Sequence, residues 1–165
     1  MKARVLSFVI AASFTLVACK TTYLPVGSLG WSEAKQYTCK KGGACEATVV
    51  PYWFGSWTGE LDRDPLYLAS DNKDVDIYWK FPPNSDYGFC TELGDGVFLK
   101  QVDDYNQFDN QSATGNPSGP KKKCKDQYHW RAKNTKAGQA YWYKVIFRDG
   151  LDRVYMIDPW IVNGN

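Results

Sequence analysis

The chain has 165 residues, 20 of them Lys or Arg and 18 of them Asp or Glu, and this length fits one domain with an adequate core. Its single histidine, His129, excludes a copper site that uses two histidine ligands. Beyond residue 18, no segment has the length and amphipathic pattern of a helix. Short runs rich in Tyr, Trp, Val and Ile are instead separated by Gly, Pro, Asn and Asp, which favours an all-β protein.

Residues 1–18 have the pattern of a signal peptide. Lys2 and Arg4 precede a run of 14 apolar or small residues, Val5–Ala18, which is too short for a membrane-spanning helix. The run ends in Leu-Val-Ala before Cys19, and this ending resembles the lipobox of bacterial lipoproteins. The resemblance implies that a diacylglycerol alkylates the Cys19 thiol, that the chain is cut before it, and that the freed amine is acylated. An ordinary signal peptide followed by a chance cysteine is the alternative.

The predicted anchor places the protein at a lipid bilayer. Several acyl chains on Cys19 hold it durably, since each buried methylene contributes about 0.8 kcal/mol. The residue after Cys19 is Lys20. This start resembles that of enterobacterial lipoproteins, in which an Asp directly after the lipidated Cys implies retention at the inner membrane. The resemblance therefore implies that Lys20 directs the protein to the outer membrane. Removal of residues 1–18 leaves 147 residues with 18 basic and 18 acidic side chains. Because the formal net charge is then zero, we expect no nucleic-acid partner.

Residues 19–36 are predicted to form a lipidated tether, and residues 37–165 a single domain. The clearest strand is 74–81, where Val75, Ile77, Trp79 and Phe81 alternate with mainly polar residues. The other predicted strands are 46–54, 66–70, 97–102, 127–133, 140–148 and 154–157.

About seven strands with no helices between them predict an antiparallel, immunoglobulin-like β-sandwich. We expect Trp79 and Trp142 to fill its core. Residues 103–126 are polar and contain two glycines and two prolines, so they are predicted to form a long surface loop.

The four cysteines that follow Cys19 are expected to form two disulfides. An even number of cysteines outside the cytoplasm indicates oxidation, and four cysteines allow three pairings. We predict Cys39–Cys45, which closes a short ring over two glycines, and Cys90–Cys124, which restrains the long polar loop. Zinc ligation is the alternative, although the spacing between Cys39 and Cys45 is not the usual short one.

Five segments carry a resemblance to known proteins: CEATVVPYW, DVDIYWKF, YHWRAKNT, AYWYKV and VYMIDPWIVNGN. They are similar to segments of a loose group of small secreted bacterial β-sandwich proteins that end in Asp-Pro-Trp-Ile-Val-Asn. This resemblance covers residues 45–163 and implies the sandwich fold, but the group has no assigned activity. The segment QYTCKKGG, residues 36–43, also resembles the start of the c-type lysozyme inhibitors of the bacterial envelope, whose inhibitory Ser-Gly-x-x-Tyr loop has no counterpart here.

The sequence predicts neither enzymatic activity nor a cofactor. Ser56 lies one position away from the place that a Gly-x-Ser-x-Gly nucleophile elbow requires. The acidic residues of 60–76 could pair for glycoside hydrolysis or bind calcium. An EF-hand loop that starts at Asp71 fails, because Asp76 occupies the glycine position and Pro82 the final glutamate position. A loose calcium site stays an open alternative.

The candidate ligand-binding residues are Trp53, Trp57, Asp62 and Asp64. The run YWFGSW leads from a predicted strand into a turn, and an acidic stretch follows directly. Exposed rings beside carboxylates suit sugars or basic protein segments, because rings stack and carboxylates accept hydrogen bonds. The sequence thus predicts a non-enzymatic binding or structural lipoprotein of the outer membrane, with an envelope or external protein or glycan as its partner. Inhibition of a lysozyme-like hydrolase is the alternative.

Overall fold

A computed structural model of the chain describes residues 36–53, 56–100, 106–120 and 123–164, and the side chains of Trp53 and Trp57 lie outside the description. The predicted leader, Cys19 and nearly all of the predicted tether also lie outside the described residues. Lipidation of Cys19 therefore stays a prediction. Within the described ranges, no helix has the length and apolar character needed to cross a membrane.

Eleven strands make up most of the described chain, which confirms the all-β prediction. They are β1 Tyr37–Cys39, β2 Cys45–Trp53, β3 Trp57–Leu61, β4 Leu66–Leu68, β5 Val75–Lys80, β6 Gly96–Leu99, β7 Phe108–Ser118, β8 Cys124–Ala132, β9 Ala140–Arg148, β10 Val154–Ile157 and β11 Trp160–Asn163. A 3-10 turn at Thr91–Leu93 precedes β6. Strands β9 and β10 have the bounds that their alternating sequences predict.

The strands form two sheets. Sheet I has the order β1–β4–β11–β9–β10. Strands β10 and β11 pair with one edge of β9, and β6 pairs with the other edge, since Val145 of β9 pairs with Ile157 of β10 on one side and with Val97 of β6 on the other. Sheet II has the order β3–β2–β5–β8–β7. Parallel pairs occur in both sheets: β1 with β4, β4 with β11, and β2 with β5. Eleven described strands in mixed sheets correct the expectation of about seven antiparallel strands, and the immunoglobulin-like arrangement is not confirmed.

The inward faces of the two sheets enclose an aromatic core. Trp79 of β5 and Trp130 of β8 are fully buried and meet edge to face at 5.2 Å between ring centroids. The indole N–H of Trp79 donates a 3.0 Å hydrogen bond to the hydroxyl of Tyr143 on β9, and so ties sheet II to sheet I. Burial, together with the nearby Asp64 carboxylate, raises the pKa of Tyr143 well above its usual value.

Both predicted disulfides are present. Cys39–Cys45 joins β1 of sheet I to β2 of sheet II, and Cys90–Cys124 joins the residue before the 3-10 turn to the start of β8. The second bond closes a loop across 34 positions of sequence. All four half-cystines are at least 95% buried, so the two crosslinks form part of the packed interior.

The prediction that residues 103–126 form a loop is wrong over much of its length, because residues 108–118 form the edge strand β7. The prediction missed this strand because β7 is buried at its two ends and mostly exposed between them, so it has no apolar alternation. Register shifts at Asp109/Ser112 and at Thr114/Pro117 accommodate its irregular sequence, and such bulges are typical of edge strands.

Candidate binding face

The outward face of sheet II is polar apart from Val50 and Tyr52 of β2, and its charged groups are paired with one another. Asp76 of β5 accepts hydrogen bonds from Arg131 at 3.1 Å, and its oxygen lies 2.9 Å from the Nε2 atom of His129. The Arg131 hydrogen bond outweighs burial and lowers the pKa of the Asp76 carboxyl. Tyr78 stacks on His129 with ring centroids 4.8 Å apart. This arrangement is typical of a solvated sheet surface.

The outward face of sheet I is different, because large apolar side chains alternate with the buried ones along its strands. Trp142, Val154 and Met156 are 38%, 45% and 50% exposed. Partly exposed neighbours on strands β6, β9 and β11 continue the surface. We define the tryptophan face by its six apolar members: Phe98, Trp142, Ile146, Val154, Met156 and Trp160. Exposed apolar side chains grouped on one sheet face in this way commonly mark an interaction site.

The strand register brings the two tryptophans together. Trp142 of β9 and Trp160 of β11 are directly opposite in an antiparallel pair, so their side chains leave the sheet on the same side. Their rings stack with centroids 5.5 Å apart and planes 8° from parallel. Farther along β9, Ile146 pairs with Met156 of β10 in the same way. The tryptophan face thus runs across neighbouring strands of one sheet.

Lys100 and Asp158 fix the edge of the tryptophan pair. The ammonium group of Lys100 lies 3.7 Å from the centroid of the Trp142 ring and 2.8 Å from a carboxylate oxygen of Asp158. Since β6 and β11 flank opposite edges of β9 near these residues, the Lys100 side chain passes over the Trp142 ring towards Asp158, which lies on the edge of β9 that carries Trp160. A cation over a ring contributes about 0.5–1 kcal/mol at an exposed position. The pair is therefore held in place before any ligand arrives.

Asp64 connects the tryptophan face to the loop between β3 and β4. Its carboxylate accepts a 3.0 Å hydrogen bond from the backbone N–H of Trp160. The same carboxylate contributes to the raised pKa of Tyr143, the residue next to Trp142. Between the end of β10 and the start of β11, the backbone N–H of Tyr143 donates a 3.1 Å hydrogen bond to the carbonyl of Pro159. Strand β9 therefore stays paired where one neighbouring strand has ended and the next has not begun.

The basic groups at the far end of the face are also engaged. Arg148 of β9 contacts Asp95 at 3.2 Å and Asp152 at 3.1 Å. Burial is the largest influence on Asp95 and raises the pKa of its carboxyl despite the neighbouring guanidinium. Lys144, which pairs with Phe98 across β9 and β6, adds a half-buried positive side chain between the two ends. The charges on this face therefore mostly neutralise each other.

The four residues predicted as ligand contacts do not form one cluster. Trp53 and Trp57 are directly opposite at the tip of the β2–β3 hairpin, and their side chains lie outside the described part. Asp62 follows β3 at the other end of the hairpin, about 17 Å along the strand from Trp57. There it accepts a 2.6 Å hydrogen bond from the N–H of Thr48. A ligand role for these four residues stays a prediction, although Asp64 does lie beside Trp160.

The expectation that Trp142 fills the core is wrong, whereas Trp79 is fully buried as predicted. The alternation in AYWYKVIFR places Trp142 opposite Tyr141 and Tyr143, both of which are fully buried, so the strand pattern itself contained the signal. The roles of Lys100 and Asp158 could not be found in this way, because their contacts depend on the pairing of strands distant in sequence.

A cleft of about 710 Å³ lies at one end of the sandwich, next to Arg148. The exposed side chains of Leu93 and Leu151 line it, together with the Cys90–Cys124 disulfide. Among the described residues, no group of three or more His, Cys, Asp or Glu side chains is placed to hold a metal ion.

Comparisons with protein families, with curated proteins and with solved structures find no match to this chain. Function is therefore inferred from the chemistry of the tryptophan face itself.

Proposed function

We propose that this chain is a lipid-anchored protein of the bacterial outer membrane that binds a partner, without enzymatic chemistry, through the tryptophan face. The observation that carries the proposal is the exposed, stacked Trp142–Trp160 pair on the outside of sheet I. Tryptophan is the residue most enriched at the energetic centres of binding interfaces, where its large ring excludes water from a wide area.

The contrast between the two sheets supports a binding role for this pair. Each sheet of a sandwich needs only one apolar side for the core. The outward side of sheet II is mostly polar, with Asp76 and Arg131 at its centre and only Val50 and Tyr52 as large exposed apolar side chains among its described residues. Sheet I carries more apolar side chains on its outward side, where Met156 is 50% and Trp142 38% exposed. Contact with a partner would bury this area and gain about 25 cal/mol for each Å².

Preorganisation also favours binding. The contacts of Trp142 with Trp160 and Lys100 restrict the rings in the free protein, so little side-chain entropy is lost when a partner covers them. The ion pair between Lys100 and Asp158 leaves ring edges and methyl groups as the main chemistry that the face offers. A surface of this chemistry suits the binding of apolar groups better than it suits catalysis.

The anchor and the location belong to the same proposal. The lipobox sequence that ends in Cys19 supports acylation of that residue, and Lys20 supports sorting to the outer membrane. The two disulfides suit a compartment that oxidises thiols. Inhibition of a lysozyme-like hydrolase, the alternative from the sequence, gains no support from the geometry of the tryptophan face.

Photo-crosslinking in cells tests the proposed binding face. The photoreactive residue p-benzoylphenylalanine is placed at Met156, which is 50% exposed on the tryptophan face, or at Glu46, whose side chain is 47% exposed on the outward face of sheet II beside β5. We expect an adduct, with protein or with lipid, at least about fivefold more abundant from position 156, because only that face is covered. Adducts of equal yield from both positions, or none from position 156, would contradict the proposal.

A further inference from the structure

We infer that the occupant of the tryptophan face is the phospholipid surface of the membrane to which the chain is tethered. This inference rests on the proposed function, and it adds that the domain lies with sheet I against the bilayer. The three observations that carry it are the point where the tether enters the fold, the length of the tether, and the charge balance of the face.

The tether enters the domain on sheet I itself. Tyr37, the first residue of β1, pairs with Leu66, which pairs with Ile161, which pairs with Tyr141. This row lies directly beside the row that contains Trp142 and Trp160. Because three strand spacings separate β1 from β9, the entry point is about 14 Å from the strand that carries Trp142.

The tether is short enough to keep the domain at the membrane. Seventeen residues separate Cys19 from Tyr37, so the fully extended tether spans at most about 60 Å. A face with weak affinity for lipid would then meet the bilayer at a high effective concentration, because the acylated Cys19 cannot leave. An anchor that enters at sheet I presents this sheet to the bilayer more often than sheet II.

The chemistry of the face suits the boundary between lipid headgroups and acyl chains. Tryptophan is enriched at this boundary because its ring is apolar and its N–H is polar. Lys144 can extend its ammonium to the headgroups while its methylenes stay in apolar surroundings. Lys100 is neutralised by Asp158, and Arg148 by Asp95 and Asp152, so these groups approach lipid as ion pairs. Docking therefore depends on apolar burial and needs no anionic lipid.

Fluorescence quenching by brominated lipid tests this inference. The lipidated protein with Trp31→Phe, which removes a tryptophan of the predicted tether, is reconstituted into vesicles of phosphatidylcholine with brominated acyl chains. We expect bromine to quench the fluorescence, and the additional changes Trp142→Phe and Trp160→Phe to reduce the quenched fraction at least twofold. Trp130→Phe, which removes a fully buried ring of the core, is the matched control and should not reduce the quenched fraction.

The inference is overturned by no quenching by brominated lipid, or by equal quenching with and without Trp142 and Trp160. If position 156 still gives an abundant protein adduct in cells, the binding face stands and its occupant is a protein. If position 156 gives no adduct either, the proposed function fails together with the inference. Quenching that falls more than twofold between 50 mM and 500 mM salt would also contradict docking by apolar burial.

Discussion

Replacing Trp79 with alanine should lower the free energy of unfolding by about 4 kcal/mol, since large-to-small substitutions at buried tryptophan typically cost 3–5 kcal/mol. Trp79 is fully buried, contacts the ring of Trp130, and donates its N–H to the hydroxyl of Tyr143. The substitution leaves a cavity between the sheets and a buried hydroxyl without this donor. Urea denaturation followed by circular dichroism measures the change.

The matched control is Trp142→Ala, which removes the same side chain from the outside of sheet I. Trp142 is 38% exposed, and its loss forfeits the stacking with Trp160 and the contact with Lys100, so we expect a cost of about 1 kcal/mol. Because Trp79→Ala could prevent folding, Trp79→Phe serves as a milder variant and should cost about 2 kcal/mol. If Trp79→Ala and Trp142→Ala destabilised the protein equally, Trp142 would have a mainly structural role, contrary to its proposed role in binding.

Replacing Cys90 and Cys124 together with serine should lower the free energy of unfolding by about 4 kcal/mol. The bond closes a loop across 34 positions, and loop-closure entropy in the unfolded chain rises with the logarithm of this length. The same estimate for Cys39 and Cys45, which are separated by six positions, is about 2 kcal/mol. Denaturation of the two double variants beside the parent chain measures both values.

The order of the two disulfide effects is the informative outcome. A larger cost for loss of Cys39–Cys45 would show that this bond, which joins β1 to β2 and so sheet I to sheet II, stabilises the folded state more than loop length implies. No cost for loss of Cys90–Cys124 would contradict the role of that bond as a restraint on the unfolded chain.

Strands with one buried side were predictable from the sequence. In β5, Val75, Ile77 and Trp79 alternate with partly exposed residues, and β9 and β10 show the same pattern, so a period of two identified each of them. The disulfide pairs were also predictable among the three possible pairings, because two glycines permit the short ring and the long loop gives a crosslink most to restrain.

Other strands could not be predicted because tertiary contacts define them. β3 contains Gly59, where a Cβ atom would lie only 2.8 Å from the carbonyl oxygen of Val50, so a close approach of backbones selects glycine in a strand. β1 is three residues long and is defined by its parallel pairing with β4. β11 follows directly after Pro159, a residue that normally indicates the end of a strand.

The tryptophan face was missed for a related reason. The alternation in β9 shows that Trp142 points outward, but only the strand register shows that it meets Trp160 of β11. The contacts of Lys100 and Asp64 with this pair span dozens of residues of sequence. The run YWFGSW predicts a ligand site instead, because an aromatic cluster next to carboxylates can be recognised in the sequence without knowledge of the fold.

Thiol alkylation in isolated envelopes tests most directly whether the tryptophan face is the covered surface of this protein. Met156→Cys and Glu46→Cys place a thiol at positions of similar exposure in the domain alone, 50% for Met156 and 47% for the Glu46 side chain, on the outward faces of sheet I and sheet II. A hydrophilic maleimide should react with the thiol at position 156 at least about fivefold more slowly than with the thiol at position 46. Equal rates at the two positions would contradict the account, because the tryptophan face would then be open to water in its native surroundings.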